Sequence, residues 1–494
     1  MREDVMREDV MRRKRRLKTY ASRITSHTLH SDSRSTPSFS FGKLRLTKYY
    51  LFPPSSSLPS LAPPPALSYV GISALSEDNV SAMSSSTPFA LTCAVLMVLF
   101  AGCQSPDSNG SSTAQMDVDA RADSLTQAAL LVDGHIDLPY RLNDFYETPA
   151  DSTVGGDFDY PRARVGGLDA PFMSIYIPTS LQATPSDATK RANALIDIVE
   201  RIATEHPDHF TLATSPDDVR QIADTDAIAL PMGMENGAGL GGDLDNVEHF
   251  YDRGVRYITL AHGEHNRIGD SSYDDSEPRW NGLSPFGEQV GAEMNRLGIM
   301  VDVSHVTDST ATDAMAQSKA PVIASHSSCR HFTPGWERNV SDELIDGIAE
   351  TGGIVMITFG SSFLQNEYRE QDDPIREDMN AHIDSMGWAE DSREAVVYEE
   401  KIRKENPIGT VADVADHIDH AVDLVGTEHV GLGSDFDGVF ALPEGLQDAS
   451  DYPNLVAELL RRDYSENEIQ QILGENLLRV WDEVEATAER LQES

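Results

Sequence analysis

From about residue 125 the chain alternates short apolar runs with amphipathic stretches. The runs ALLVDGHIDL (129–138), FMSIYI (172–177), AIALPMGME (227–235), YITLAH (257–262), IMVDVSH (299–305), PVIASH (321–326), GIVMITF (353–359) and HVGLGSDF (429–436) have the length and apolarity of buried strands. Segments 186–203, 245–253, 285–297, 308–318, 341–350 and 410–425 lie between them and read as helices. Ser284-Pro285 and Ser341-Asp342-Glu343 supply helix start signals. Strands alternating with helices predict an α/β fold with a parallel sheet, and eight repeats predict closure into a (β/α)8 TIM-type barrel. An open doubly wound sheet is the alternative. No Gly-rich phosphate loop follows the first strand, which counts against a dinucleotide-binding version. Residues 361–409 form a long acidic insertion after the seventh strand, read as a partly helical flap or lid near the mouth. The stretch 453–490 reads as two extra C-terminal helices packed on the barrel's outside.

The first 124 residues follow different rules. Residues 1–82 contain a tandem MREDV repeat, a basic run from Arg12 to Lys18 and Ser/Pro-rich text without helical or strand period, so no packed structure is expected. A start codon placed too early, with Met83 the true first residue, accounts for this segment; a basic arm or transit-type segment is the alternative. Residues 83–103 have the form of a signal peptide. Phe89 to Ala101 is an apolar run too short to span a bilayer comfortably, and it ends in Leu99-Phe100-Ala101-Gly102-Cys103. Small residues before a Cys resemble the lipobox of bacterial lipoproteins, in which Cys103 is lipidated. Phe100 is a less usual residue at its position, and no early Lys or Arg follows Met83. Residues 104–124 read as a polar tether, and 125–494 as the barrel. The expected location is the cell envelope, outside the cytoplasm and lipid-anchored to a membrane. Of Cys93, Cys103 and Cys329, the first leaves with the signal and the second carries lipid, so the mature chain forms no intramolecular disulfide.

The net charge of −42 argues against nucleic acid as a partner, because phosphates need a basic surface. Residues 1–82 hold 13 Lys+Arg against 7 Asp+Glu, so the acidity belongs entirely to the remainder. An acidic surface that keeps the protein soluble, as in organisms adapted to high salt, explains it better than a cationic substrate does.

Most of the apolar runs end in His, Asp or Glu, and in a β/α barrel the C-terminal strand ends form the active-site face. His135 and Asp137 point to the same side and make half of a metal site; alone, the pair fits a structural hydrogen bond equally well. Glu235 ends the third strand, where a carboxylate can bridge two metals; taken singly it reads as a solvated loop acid. His305 and His326 end matched Ser-His strands one repeat apart, which suits two ligands of a second ion better than two core histidines. Asp435 suits a general acid/base, and Asp437 a turn. His262 and Arg338 are further candidates; Arg338 suits either a bidentate carboxylate clamp or a surface salt bridge. Together the strand-end residues form the ligand set of a paired zinc site, in which two ions about 3.5–4 Å apart share a hydroxide and polarise a carbonyl. No Gly-x-Ser-x-Gly elbow or strand-end Cys provides a nucleophile, and nothing evident activates Cys329.

The blocks DGHIDLPY, RYITLAH, GLSPFGEQV, AEMNRLGIMVDVSHV, APVIASHSS, RNVSDEL, VADHIDH, GSDFDGV and YPNLVAELLRRDYSENEIQQILGENLLRV give the chain a resemblance to the membrane dipeptidase (renal dipeptidase) family of zinc peptidases over about 128–485. The resemblance implies a binuclear zinc metallodipeptidase. It implies that His135, Asp137 and Glu235 bind one Zn2+, and that Glu235, His305 and His326 bind the other, with Glu235 as the bridge. It makes Asp435 the carboxylate that handles the proton of the attacking water and leaving amine. It assigns His262 and Arg338 to the dipeptide substrate, Arg338 to its C-terminal carboxylate, and it allows a homodimer. Asn236 stands where Gly is common and Ala261 where Thr is common. The cysteines and hydrophobic tail of animal relatives are missing. Two other functions compete: a related metal-dependent amidohydrolase acting on N-acyl amino acids or cyclic amides, and an inactive ligand-binding envelope lipoprotein.

Overall fold

A computed structural model describes residues 109–494, with side chains from Asp117 onward. Cys103, the 83–103 segment and residues 1–82 lie outside the described residues. Part of the expected tether at 104–124 is helical: α1 spans Asn109–Ala128. Val118, Ala122, Leu125 and Ala129 recur at helical spacing and pack into the main core, while Arg121 pairs with Glu466 and Asp119 with Arg461. A stripe built mostly of residues this small is hard to tell from polar linker in the sequence.

Strand β1 (Leu131–Ile136) leads through α2 (Leu138–Asp144) and α3 (Tyr160–Gly166) to β2 (Leu168–Tyr176) and α4 (Pro185–Glu205). A two-stranded side sheet follows, from β3 (Phe210–Leu212) and β4 (Ile228–Leu230) around α5 (Pro216–Ala223). The strand expected over 227–235 is therefore two. Pro231 has no N–H to give a ladder, so β4 turns to β3 while β5 (Met232–Glu235) enters the barrel. Next come α6 (Asp245–Asp252), β6 (Val255–Thr259), α7 (Pro285–Leu297), β7 (Met300–Asp302), α8 (Asp308–Gln317), β8 (Val322–Ala324), α9 (Asp342–Glu350) and β9 (Ile354–Ile357). The insertion supplies α10 (Asn366–Met386) and α11 (Arg393–Glu405). The chain ends with α12 (Val411–Val425), β10 (Val430–Leu432), α13 (Tyr452–Arg461), α14 (Glu466–Gln470) and α15 (Asn476–Gln492).

The large sheet has the order β1-β2-β5-β6-β7-β8-β9-β10, all parallel. It closes on itself where Asp435 N donates to His135 O (3.1 Å) and Asp137 N to Phe436 O (2.9 Å), giving a (β/α)8 TIM-type barrel. Inward residues Val132, Phe172, Tyr257, Met300, Ile323 and Met356 form one apolar cluster with Leu477, Val480, Trp481 and Val484 of α15. The last helix thus lies against inward-facing residues rather than only on the outer wall. Asn476 Nδ2 fixes it there by donating to the carbonyls of Thr427 and Val430, at the start of β10. The insertion has a small core of its own around Met379, Ile383 and Ala395, shared with Phe440. Arg403 of α11 locks it to the rim, donating to Phe440 O (2.9 Å) and to Asp157 Oδ2 (2.7 Å).

Candidate active site

Parallel closure puts every strand's C-terminal end on one rim, and the candidate residues sit there. His135 is the second-last residue of β1, and Asp137 follows the strand as the residue before α2. Glu235 ends β5, His262 follows β6, and His305, His326 and Asp435 follow β7, β8 and β10. His305 and Asp435 adopt positive φ values of 67° and 65°, uncommon for non-glycine residues and costing about 1–3 kcal/mol each. Asn236 has φ 79°, which explains the glycine common at this position; asparagine tolerates the left-handed region best after glycine. Its side chain is used as well, donating to Ile177 O and accepting from Ala238 N.

Glu235 is the centre of the cluster. Its Oε2 lies 3.5 Å from His135 Nε2 and accepts from Ser174 Oγ. Its Oε1 faces His305 Nε2 (3.1 Å), His262 Nε2 (3.2 Å) and His326 Nε2 (3.5 Å). His135 Nε2 is also 3.3 Å from Asp137 Oδ2. Donor atoms of His135, Glu235 and His326 converge within 4.8 Å, as do those of Glu235, His262 and His305, and of His135, Asp137 and Asp435. The structure therefore brings all six expected metal and acid positions together. It also places His262, expected at the substrate, as near the central carboxylate as the expected ligands. Arg338 is buried, so it is no surface salt bridge: Nη1 donates to Ser327 Oγ, and Nη2 to His326 O (2.8 Å) and His305 Nε2 (3.0 Å).

These residues fit divalent cations. Asp137, Glu235 and Asp435 are buried together with one arginine, an excess of negative charge that a cation offsets. His135 Nε2 and Asp137 Oδ1 are buried without hydrogen-bond partners. His305 Nε2 and His326 Nε2 face each other at 2.7 Å, so two nitrogen donors point at nearly one spot.

Residues not singled out in the sequence hold this geometry. Tyr257 Oη bonds His135 Nδ1 at 2.7 Å, and a Cβ at Gly233 would collide with the Tyr257 ring, so that glycine makes room for it. Asp302 accepts from Ser304 N, Ser325 N and Ser325 Oγ. With the Ser325 proton on Asp302, Ser325 Oγ accepts from His326 Nδ1 (2.8 Å), leaving Nε2 as a lone pair aimed at the cluster. Asp133 does the same for the other side, accepting from His135 N, Ser434 N and Tyr452 Oη. Both acids follow Val in VDGH (132–135) and VDVSH (301–305), an acid inside an apolar strand just before a histidine. That was the available signal.

Electrostatics sort the histidines. Burial, then the charge of Arg338, holds His305 well below the ordinary imidazole range; burial and His135 do the same to His326. Burial opposes charge on His135 too, but Tyr257, Glu235 and Asp137 outweigh it and hold that imidazole well above its usual value. Glu235 is pulled well below the carboxylate range, since His262 and His135 outweigh its burial. Burial pushes Asp435 up to about 7; His135 opposes this, while Asp137 and Glu235 add to it. Burial also pushes the Cys329 thiol up, which keeps it a poor nucleophile. Asp437 accepts from Arg141 and Asp157 and stays out of the cluster.

The sequence model of the membrane dipeptidase family, peptidase family M19, matches residues 119–494. The chain is 27% identical to the probable dipeptidase PvdM from Pseudomonas aeruginosa, with a TM-score of 0.64 covering 75% of this chain and 99% of that one. A metallo peptidase from Rhodobacter sphaeroides, liganded with a phosphinate mimic of the dipeptide L-Ala-D-Ala, is 25% identical with a TM-score of 0.58, covering 72% and 99%. An amidohydrolase from Pseudomonas aeruginosa, 24% identical with a TM-score of 0.55 over 74% and 98%, shares the fold. Each solved chain is covered almost end to end, so the likeness spans the whole barrel.

Proposed function

Because the chain belongs to the membrane dipeptidase family of metallo-dipeptidases, we propose that it hydrolyses the single peptide bond of dipeptides with two zinc ions bridged by Glu235. The observation that carries this reading is the double facing of Glu235: one oxygen lies 3.5 Å from His135 Nε2, and the other 3.1 Å from His305 Nε2. His135, Asp137 and Glu235 would hold one ion, and Glu235, His305 and His326 the other. Zinc bound there supplies Lewis-acid polarisation of the scissile carbonyl and a hydroxide at neutral pH.

The chain's own groups do the rest. Asp435, at the rim beside His135 and Asp137, takes a proton from the attacking water and returns it to the leaving amine. With His305 Nε2 given to an ion, Arg338 Nη2 would be free of that contact, and with Nε, buried without a partner, it would form a fork for the substrate's C-terminal carboxylate. A chain continuing past the second residue has no carboxylate there, which limits the substrate to dipeptides. His262 packs at 4.8 Å from the Tyr176 ring and orients the substrate beside Glu235. We place the barrel at the envelope membrane through a lipid on Cys103; labelled fatty acid should enter the parent protein and not Cys103→Ser.

The test is a zinc-loaded assay of L-Ala-D-Ala, D-Ala-D-Ala and Cys-Gly against a tripeptide and N-acetyl amino acids. Hydrolysis confined to dipeptides supports the reading. Untouched dipeptides with cleaved N-acyl amino acids would replace it with the amidohydrolase alternative.

A further inference from the structure

Outside the rim, one more group of side chains has the chemistry of a metal site. His331 lies in the segment between β8 and α9, Asp342 is the first residue of α9, and His420 lies on α12. One donor atom from each falls within 4.8 Å of the other two. His420 Nε2 is 2.8 Å from Asp342 Oδ1. The His331 and His420 rings stack with centroids 4.3 Å apart and planes 27° from parallel.

Three separate elements hold these groups in place. Phe332 packs edge-on against His420 (5.8 Å) and closer against His417 (4.4 Å). His417 Nδ1 accepts from Cys329 N at 2.9 Å, tying the start of the His331 segment to α12. Ser341 caps α9 by accepting from Leu344 N, which fixes the backbone at Asp342. His331 is exposed and the other two are half-buried, so an ion and its water ligands can reach them. An exposed Asp–His pair alone is worth little to stability, about 0–1 kcal/mol. Such a pair by itself does not account for a third ligating side chain whose donor atom lies within 4.8 Å of both.

We propose that His331, Asp342 and His420 bind a third divalent ion of the zinc type, separate from the pair at the barrel mouth. Two imidazole nitrogens and one carboxylate oxygen suit such an ion better than magnesium or calcium, which prefer all-oxygen shells, and water completes the four positions. The site joins α9 and α12 to the segment that also carries Trp336 and Arg338. Its occupancy therefore holds in place the segment that reaches into the active site.

The test counts zinc per chain by elemental mass spectrometry after equilibrium dialysis of the full protein. The parent is compared with His331→Ala, His420→Ala and the rim variant His135→Ala. Each of the first two should lose one zinc relative to the parent, and His135→Ala should keep that ion. Unchanged zinc content in both His331→Ala and His420→Ala overturns the proposal. Failure of the rim to bind zinc would read differently: the parent would still hold an ion that His420→Ala removes. Cobalt(II) gives an independent readout: the visible absorbance that remains in His135→Ala should fall further when His420→Ala is added, by the share of one ion.

Discussion

The hydroxyl of Tyr257 lies 2.7 Å from His135 Nδ1, across the barrel interior, and turns Nε2 toward Glu235 and Asp137. The tyrosine is fully buried, and its ring fills space that Gly233 leaves open. Tyr257→Phe keeps the ring and deletes only this contact. It should lower zinc affinity about 10–100-fold, the usual effect of losing an outer hydrogen bond to a ligating histidine, with little change in melting temperature. Chelator competition measures it. Gly233→Ala should displace the same ring and lower both affinity and melting temperature. Wild-type zinc affinity in both variants would remove Tyr257 from the site's support.

Asp302 should matter to folding as well as to the cluster. It accepts from two backbone amides and the Ser325 hydroxyl, and Ser325 in turn bonds His326. Asp302→Asn replaces an acceptor oxygen with an N–H₂ group facing donors. We expect a loss of about 1–3 kcal/mol, seen as a lower thermal midpoint, together with weaker zinc binding. An unchanged midpoint would mean that the network rearranges freely.

Metal uptake should release protons below neutrality. In the metal-free protein Asp435 has its pKa at about 7 and His135 is held well above the usual imidazole value, so both bind protons at pH 6. A cation beside Asp435 favours the ionised carboxylate, and a ligating His135 must give up its Nε2 proton. Apparent affinity therefore rises with pH, by up to about tenfold per pH unit for each proton released. The Asp435 share fades above about pH 7, where that carboxyl is already ionised. Calorimetry in two buffers of different ionisation enthalpy reads the proton count directly. Asp435→Asn should lower that count at pH 6, and an identical count would contradict the assignment.

Arg338→Ala should act on substrate more than on fold. Losing a charge-assisted contact to a carboxylate costs about 1.5–3 kcal/mol, or about 10–100-fold in kcat/KM. The loss should appear mainly in KM for dipeptides, and it should be absent for dipeptide amides, which lack the carboxylate. Equal losses on both substrates would show that Arg338 only supports His305 and His326, which it touches through Nη2.

Much of this arrangement is legible in the chain itself. Buried parallel strands have apolar neighbours on both faces, so all eight barrel strands appear as apolar runs, and the helices expected over 285–297 and 410–425 lie at 285–297 and 411–425. The residues that converge on the rim are legible because each is local to a strand end. The sequence alone did not reveal the split at Pro231, the helix over 109–128 or the place of Trp481 against inward-facing residues. Those depend on which partner a segment finds, and weak local signals such as a stripe of Ala and Val do not specify one.

Strand-end chemistry and the alternation of elements were thus determined by the sequence by itself, since both follow from the solvent each residue prefers and from local periodicity. The tertiary structure decided which of those groups meet. Glu235 faces four histidines, Tyr257 reaches His135 from 122 positions away, and Asp133 holds Ser434 from 301. Only closure of the barrel brings residues so distant in the chain within hydrogen-bonding reach.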